Sequence, residues 1–269
     1  MFLLSLILPV AHAEDSTFAG ATTAPVAADE VETDLSAELG AAYADGNVWY
    51  YTVNAGLSYG RKWGSNRVSG GASANLGRAA ADLDGDGIVS DAERPGTLFD
   101  LPESARKLAA EARYDRFLTE RGSLYLLAGA YTDRFSGYDA RSHEQLGYSF
   151  WVVKGESVGL RTELGADYAQ EFYVEGVDPS SANILAARVL VGLEWKLNES
   201  VSFTDTAETY VNVLSPVDTR VLNQAVLSSK LSTVFSLKLS HTLTFDNVPV
   251  AGYRPLDQGA MVTLVATLM

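Results

Sequence analysis

The chain has 269 residues, 47% of them apolar and 20% charged, and its 34 acidic side chains against 20 basic ones leave a formal net charge of −14. That balance argues against nucleic acid as a partner, because phosphate binding needs clustered Lys and Arg, and it suits a surface that takes up divalent cations. There is no cysteine and no Pro/Gly/Ser-rich linker, so the composition points to one domain held without disulfides.

Residues 1–13 read MFLLSLILPVAHA, an apolar core followed by the small-x-small site Ala11-His12-Ala13. This pattern predicts a signal peptide, although the usual basic start is missing. Residues 14–33 are small, acidic and unpatterned, as expected for a flexible periplasmic lead-in. The first clear periodicity follows. From Val48 to Tyr59, Trp49, Tyr51, Val53, Ala55, Leu57 and Tyr59 share one face, and Tyr50, Thr52, Asn54, Gly56 and Ser58 share the other. Alternation of this kind marks a strand with one apolar and one polar side. It recurs along the chain, predicting strands near 34–43, 47–60, 65–79, 105–119, 122–135, 141–154, 156–170, 183–197, 200–213, 218–231, 233–246 and 257–269. Most exceed the ~9–11 residues that cross a bilayer at a tilt.

Between the third and fourth strands, residues 82–93 read DLDGDGIVSDAE. They fit a 12-residue EF-hand loop at its defining positions. Asp82, Asp84 and Asp86 stand at positions 1, 3 and 5, and Gly87 allows the sharp turn. Ile88 offers its carbonyl at 7, Ser90 holds a water at 9, and Glu93 closes the site as a bidentate ligand at 12. The all-oxygen set suits Ca2+ rather than zinc. A lone loop without a paired hand or flanking helices predicts weak structural binding, ~10⁻⁴–10⁻³ M.

The remaining strands fix which way the wall faces. Val158, Leu160, Leu164 and Tyr168 are set against Arg161, Glu163 and Asp167; Leu185, Val189, Val191 and Trp195 against Arg188, Glu194 and Lys196; Phe235, Leu237, Leu239 and Leu243 against Lys238 and Ser240. The charged sets predict a lumen that also holds Glu38, Glu111, Arg113 and Glu208. Trp49, Tyr51, Tyr125, Tyr131 and Trp195 fall near strand ends, where an aromatic girdle is expected. With the N-terminus in the periplasm, short turns and longer loops alternate, as in outer-membrane barrels. Asp205 stands among apolar neighbours, which demands a bulge or a partner. The stretch 218–231 has no clean face.

Three passages carry a family resemblance: Asp133-Arg134-Phe135-Ser136-Gly137-Tyr138-Asp139, then 195–204 (WKLNESVSFT), and the last hairpin with Asn247-Val248-Pro249 and Gly252-Tyr253. Over residues 34–269 the chain resembles the salt-induced outer membrane protein family. That resemblance implies an outer-membrane barrel and supplies no reaction or active site. Two features depart from the family pattern: the terminal Met269, where most such barrels end in Phe or Trp, and the Asp-rich loop.

The expected fold is thus an all-β, transmembrane, antiparallel up-and-down barrel of about twelve strands, exported to a bacterial outer membrane. Its expected partners are the lipid bilayer, lipopolysaccharide and the outer-membrane assembly machinery. A narrow passive channel or a structural, surface-binding barrel is expected, and no catalytic residues are assigned. The alternative is a calcium-assisted lipid hydrolase, which needs a serine beside a histidine on the lipid wall. His241 lies on that wall with Asn223 as its expected neighbour, but the closing strand offers no serine there.

Overall fold

The computed structural model describes residues 25–27, 30–44, 49–83, 89–90, 92–94 and 96–268. The expected signal peptide, and much of the expected lead-in, lie outside them. Alternating sequence becomes strand almost wherever the period holds. The strands are β1 (Val31–Ala44), β2 (Tyr50–Trp63), β3 (Asn66–Ala79), β4 (Glu103–Phe117), β5 (Gly122–Asp133) and β6 (Tyr138–Lys154). There follow β7 (Val158–Tyr173), β8 (Ser181–Lys196), β9 (Val201–Asn212), β10 (Thr219–Lys230), β11 (Phe235–Asp246) and β12 (Leu256–Thr267). Each pairs antiparallel with its sequence neighbours, and β1 pairs with β12, so the sheet closes into a twelve-stranded barrel.

Closure satisfies the backbone hydrogen bonds of a sheet that has no other layer to pack against. The outward face is apolar: Leu126, Leu146, Leu164, Val189 and Leu239 are between 43% and 60% exposed. The inward face is polar and buried, with Arg113, Arg161, Glu163 and Arg188 no more than 2% exposed. This inversion of a soluble core is the arrangement of a transmembrane barrel. Turns at one end are short, at 64–65, 118–121, 155–157, 197–200 and 231–234, while the other end carries the loops 80–102, 174–180 and 247–255.

Three expectations change at this level. Tyr125 and Tyr131 are not girdle residues. Leu124, Leu126 and Ala128 take the outward positions of β5, which turns both tyrosines into the lumen, Tyr125 at 1% exposure. Asp205 needs no bulge, because β9 keeps continuous register with both neighbours and the Asn223 amide on β10 donates to its carboxylate at 2.9 Å. Asn223 does not lie opposite His241: its register partners are Ala207 and Leu243, while His241 faces Ala225 and Ala260.

The wall is uneven. Neighbouring strands pair over long stretches, β1 with β2 from Val31↔Trp63 to Ala44↔Tyr50. The β1–β12 seam is paired only from Ser36↔Thr267 to Leu39↔Leu264.

Candidate functional site

The lumen is where sequence and structure concentrate charge, and its walls differ. On one side, β1, β2, β3 and β12 present small or uncharged groups inward: Ser36, Gly56, Ser58, Gly71, Ser73 and Gly259. These positions stay partly water-accessible. The Lys238–Glu38 pair, 3.3 Å apart, reaches into this side from β11 and β1, and the pairs Lys62–Glu32 at 2.8 Å and Arg67–Asp34 at 3.3 Å stand near its short-turn end. The opposite side is filled.

Its centre is Glu163 on β7, fully buried among three guanidiniums. Arg113 on β4 donates to it at 2.9 and 3.2 Å, Arg188 on β8 donates at 2.7 Å, and Arg161 stands 3.5 Å away. Arg113 also forks onto Asp115 at 2.8 and 2.9 Å, and Arg188 bonds Glu208 on β9. Paired, forked geometry of this kind is what permits ions to sit away from water. Asp167, expected beside Glu163, belongs to a neighbouring group instead: it accepts from the Gln145 amide at 3.0 Å and lies 3.4 Å from His143.

Tyr125 binds this cluster together. Its register row runs Tyr125↔Gly147↔Gly165↔Arg188 across β5 to β8. The ring lies flat over the two glycines, where a Cβ on either would stand 2.5–2.6 Å from the Tyr125 hydroxyl. The hydroxyl accepts from Arg188 at 2.7 Å, and Arg113 stacks 4.2 Å from the ring centre. The signal in the sequence was a pair of strand-interior glycines, which mark close approach of another group.

Towards the loop end, Glu171 gathers Arg141 at 3.0 Å, the Tyr173 hydroxyl at 2.6 Å, and Arg220. Tyr131, Tyr138 and Tyr173 form an aromatic row with ring centres 5.8 Å apart. Above the charged floor opens a cavity of about 440 Å³. The β11–β12 loop crosses over it. Hairpins β5–β6 and β11–β12 stand on opposite sides of the ring, yet Val250 and Tyr253 pack on Gly137, and the Tyr253 hydroxyl donates to the Arg134 carbonyl at 3.3 Å. Gly137 takes φ +92°, a conformation that favours glycine, and the absent side chain leaves the seat for the loop.

Of the expected calcium ligands, Asp82, Ser90 and Glu93 are described, while Asp84, Asp86 and Ile88 lie outside the described residues. The Glu93 carboxylate accepts from the Leu83 amide at 2.7 Å and from the Ser90 amide and hydroxyl at 2.8 Å, so the two ends of the loop are drawn together. Of the expected lumen set, Glu194 is half-buried and Lys196 is exposed at the short-turn rim.

Comparison with known proteins fits this architecture. The NanC porin structure aligns with a TM-score of 0.51 at 10% identity, over 88% of this chain and all of that one. An outer membrane channel from Pseudomonas putida F1 aligns at 0.47 with 11% identity, over 91% of this chain and 98% of that one. The β domain of the Bordetella autotransporter BrkA aligns at 0.42 with 10% identity, over 90% of this chain and all of that one. No curated protein matches. The family model described as "Protein of unknown function, DUF481" matches residues 37–268, and the chain belongs to that family.

Proposed function

We propose that the protein spans a bacterial outer membrane as a narrow, non-enzymatic channel for small solutes, of the salt-induced outer membrane protein kind its strand-end motifs resemble. The observation that carries this reading is the asymmetry of the lumen. Salt bridges plug the β4–β9 side, while at mid-barrel the β12–β1–β2–β3 side is lined largely by small residues such as Ser36, Gly56, Ser58, Gly71 and Ser73 that stay partly water-accessible. A barrel of eight strands is filled by its side chains and one of sixteen leaves a channel, so a twelve-stranded ring with one filled wall supports a slender, off-centre path. An apolar outer face in contact with lipid, with lipopolysaccharide around the loop end, and delivery by the outer-membrane assembly machinery belong to the same reading. The test is single-channel recording of the refolded barrel in planar bilayers. Small discrete steps are expected; a correctly folded but silent barrel overturns the channel.

The loop at 82–93 we read as a structural Ca2+ site held by Asp82, Asp84, Asp86, the Ile88 carbonyl, Ser90 and Glu93. The drawing together of Leu83 and Ser90 on Glu93 supports it. Bound calcium would order the long 80–102 loop.

A further inference from the structure

The wall divides at its seam. Beyond Leu39↔Leu264, towards the loop end, β1 and β12 share no register pair among the described residues. Each stays paired on its other edge, β1 up to Ala44↔Tyr50 and β12 up to Phe245↔Leu256. Had the register continued, Gly40 would face Thr263 and Ala44 would face Gly259. The split begins at a brace. Glu38 pairs in register with Val265 and Lys238 with Thr263, so their ion pair at 3.3 Å passes along the inside of β12 where the pairing stops. It ends at the loop-end rim, where the cross-strand pair Tyr43↔Tyr51 stands at the level of an interfacial girdle.

Side chains do not fill this fork. β1 offers Gly40, Ala41, Ala42 and Ala44 to it, and β12 offers Gly259 and Ala260. On the lumen side the Asn54 amide leans over from β2 and occupies the space that a Cβ on Gly40 would need. Backbone N–H and C=O groups at membrane depth persist without a ladder partner only where protein or water meets them. The lumen reaches them here past Ser36, Gly56 and Ser58, which stay partly water-accessible. The fork is therefore a wet slot joining the open side of the lumen to the loop-end half of the bilayer.

We infer that this slot is a lateral portal for single-chain amphiphiles. The polar head lies on the lumen side, among the Asn54 amide and the free backbone groups, and the hydrocarbon chain passes out between Gly40–Ala44 and Gly259–Thr263. A wholly polar solute gains nothing from an exit into hydrocarbon. Another strand does not fit, because a strand needs ~9–11 residues to cross the bilayer and the split on β1 runs only from Gly40 to Ala44. The portal adds a side exit to the channel proposed above, and rests on that reading for the placement of the loop end in the outer leaflet.

Photolabelling of the refolded barrel in phosphatidylcholine vesicles tests the portal without conductance. The probe is a lysophosphatidylcholine with a diazirine on its chain, and insertion is mapped by peptide mass spectrometry. Label is expected at Ala42 and Met261, which alternation places on the lumen side of the split, as well as on outward residues all round the wall. Gln224 and Ser240, buried on the lumen side of paired strands, should stay unlabelled. Ala42→Phe fills the slot and is expected to remove most of the Met261 label. Gly259→Leu fills it from the other strand and serves if the first variant folds poorly. Label confined to outward residues, label spread equally to Gln224 and Ser240, or label at Met261 indifferent to filling overturns the inference. Insertion at Met261 in a barrel silent in planar bilayers refutes only the channel, and conduction without that insertion refutes only the portal.

Discussion

The Tyr125 hydroxyl reaches the Arg188 guanidinium at 2.7 Å, three strands away, because the two residues between them in the row are Gly147 and Gly165. Any larger side chain there would lift the ring off the wall. The tyrosine thus ties β5 to β8 inside the barrel, independently of the backbone ladder, and holds one face of the Arg113–Glu163–Arg188 cluster.

Gly147→Ala tests that relationship. The added Cβ would stand 2.5 Å from both the Tyr125 hydroxyl and the Leu164 carbonyl, and the carbonyl belongs to backbone that cannot swing aside. A destabilisation of about 1–3 kcal/mol is expected, as for other overpacked sites. It would be read as a lower transition temperature in gel-shift assays of the folded barrel; an unchanged temperature would show that the ring moves freely.

Glu163→Gln removes the one carboxylate shared by three guanidiniums. Arg113 keeps Asp115 and Arg188 keeps Glu208, but Arg161 loses the carboxylate 3.5 Å from it. A loss of up to about 3–5 kcal/mol is expected from removing the counter-charge that these buried guanidiniums share. Urea unfolding in micelles, followed by tryptophan fluorescence, measures it. A variant as stable as the parent would mean the cluster is wetter than its burial indicates.

Ser58 lines the open wall, its hydroxyl 2.6 Å from that of Ser36. Ser58→Phe should fill the path while leaving the charged wall untouched, so most of the single-channel conductance should vanish with no change in folding. Retained conductance would place the water path elsewhere in the lumen.

For the acidic loop, calcium should slow chymotryptic cleavage after the exposed Phe99, with a half-maximal effect at ~10⁻⁴–10⁻³ M. Glu93→Gln removes the bidentate closing ligand and should abolish that protection. Magnesium serves as the control cation, and equal protection by both would argue against an EF-hand-like cage.

Most of the wall could be read from the sequence because a period of two runs through most of each strand, breaking at bulges such as those at Gly77/Arg78 and Trp151/Val153. Arg161, Glu163 and Asp167 were placed in the lumen by alternation alone. Alternation failed where both faces of a strand carry the same kind of residue. In β5, Leu124 and Leu126 outside are matched by Tyr125 and Leu127 inside. In β10, Val226 is buried inside while Asn223 sits outside, satisfied by Asp205. Neither arrangement has a signature within one strand. The same holds for the loop that roofs the cavity, since nothing local relates Tyr253 to a turn 119 residues away.

The brief pairing between β1 and β12 bears on how the ring comes into being. All other pairings join strands adjacent along the chain, so they are local contacts with low entropic cost. The seam joins Ser36 to Thr267 and must await nearly the whole chain. Ring closure is therefore the slow event in folding and, with so few bonds to break, the first to reverse. Amide exchange should run fastest along the upper halves of these two strands, making the meeting place of the chain's ends the kinetic latch of the wall.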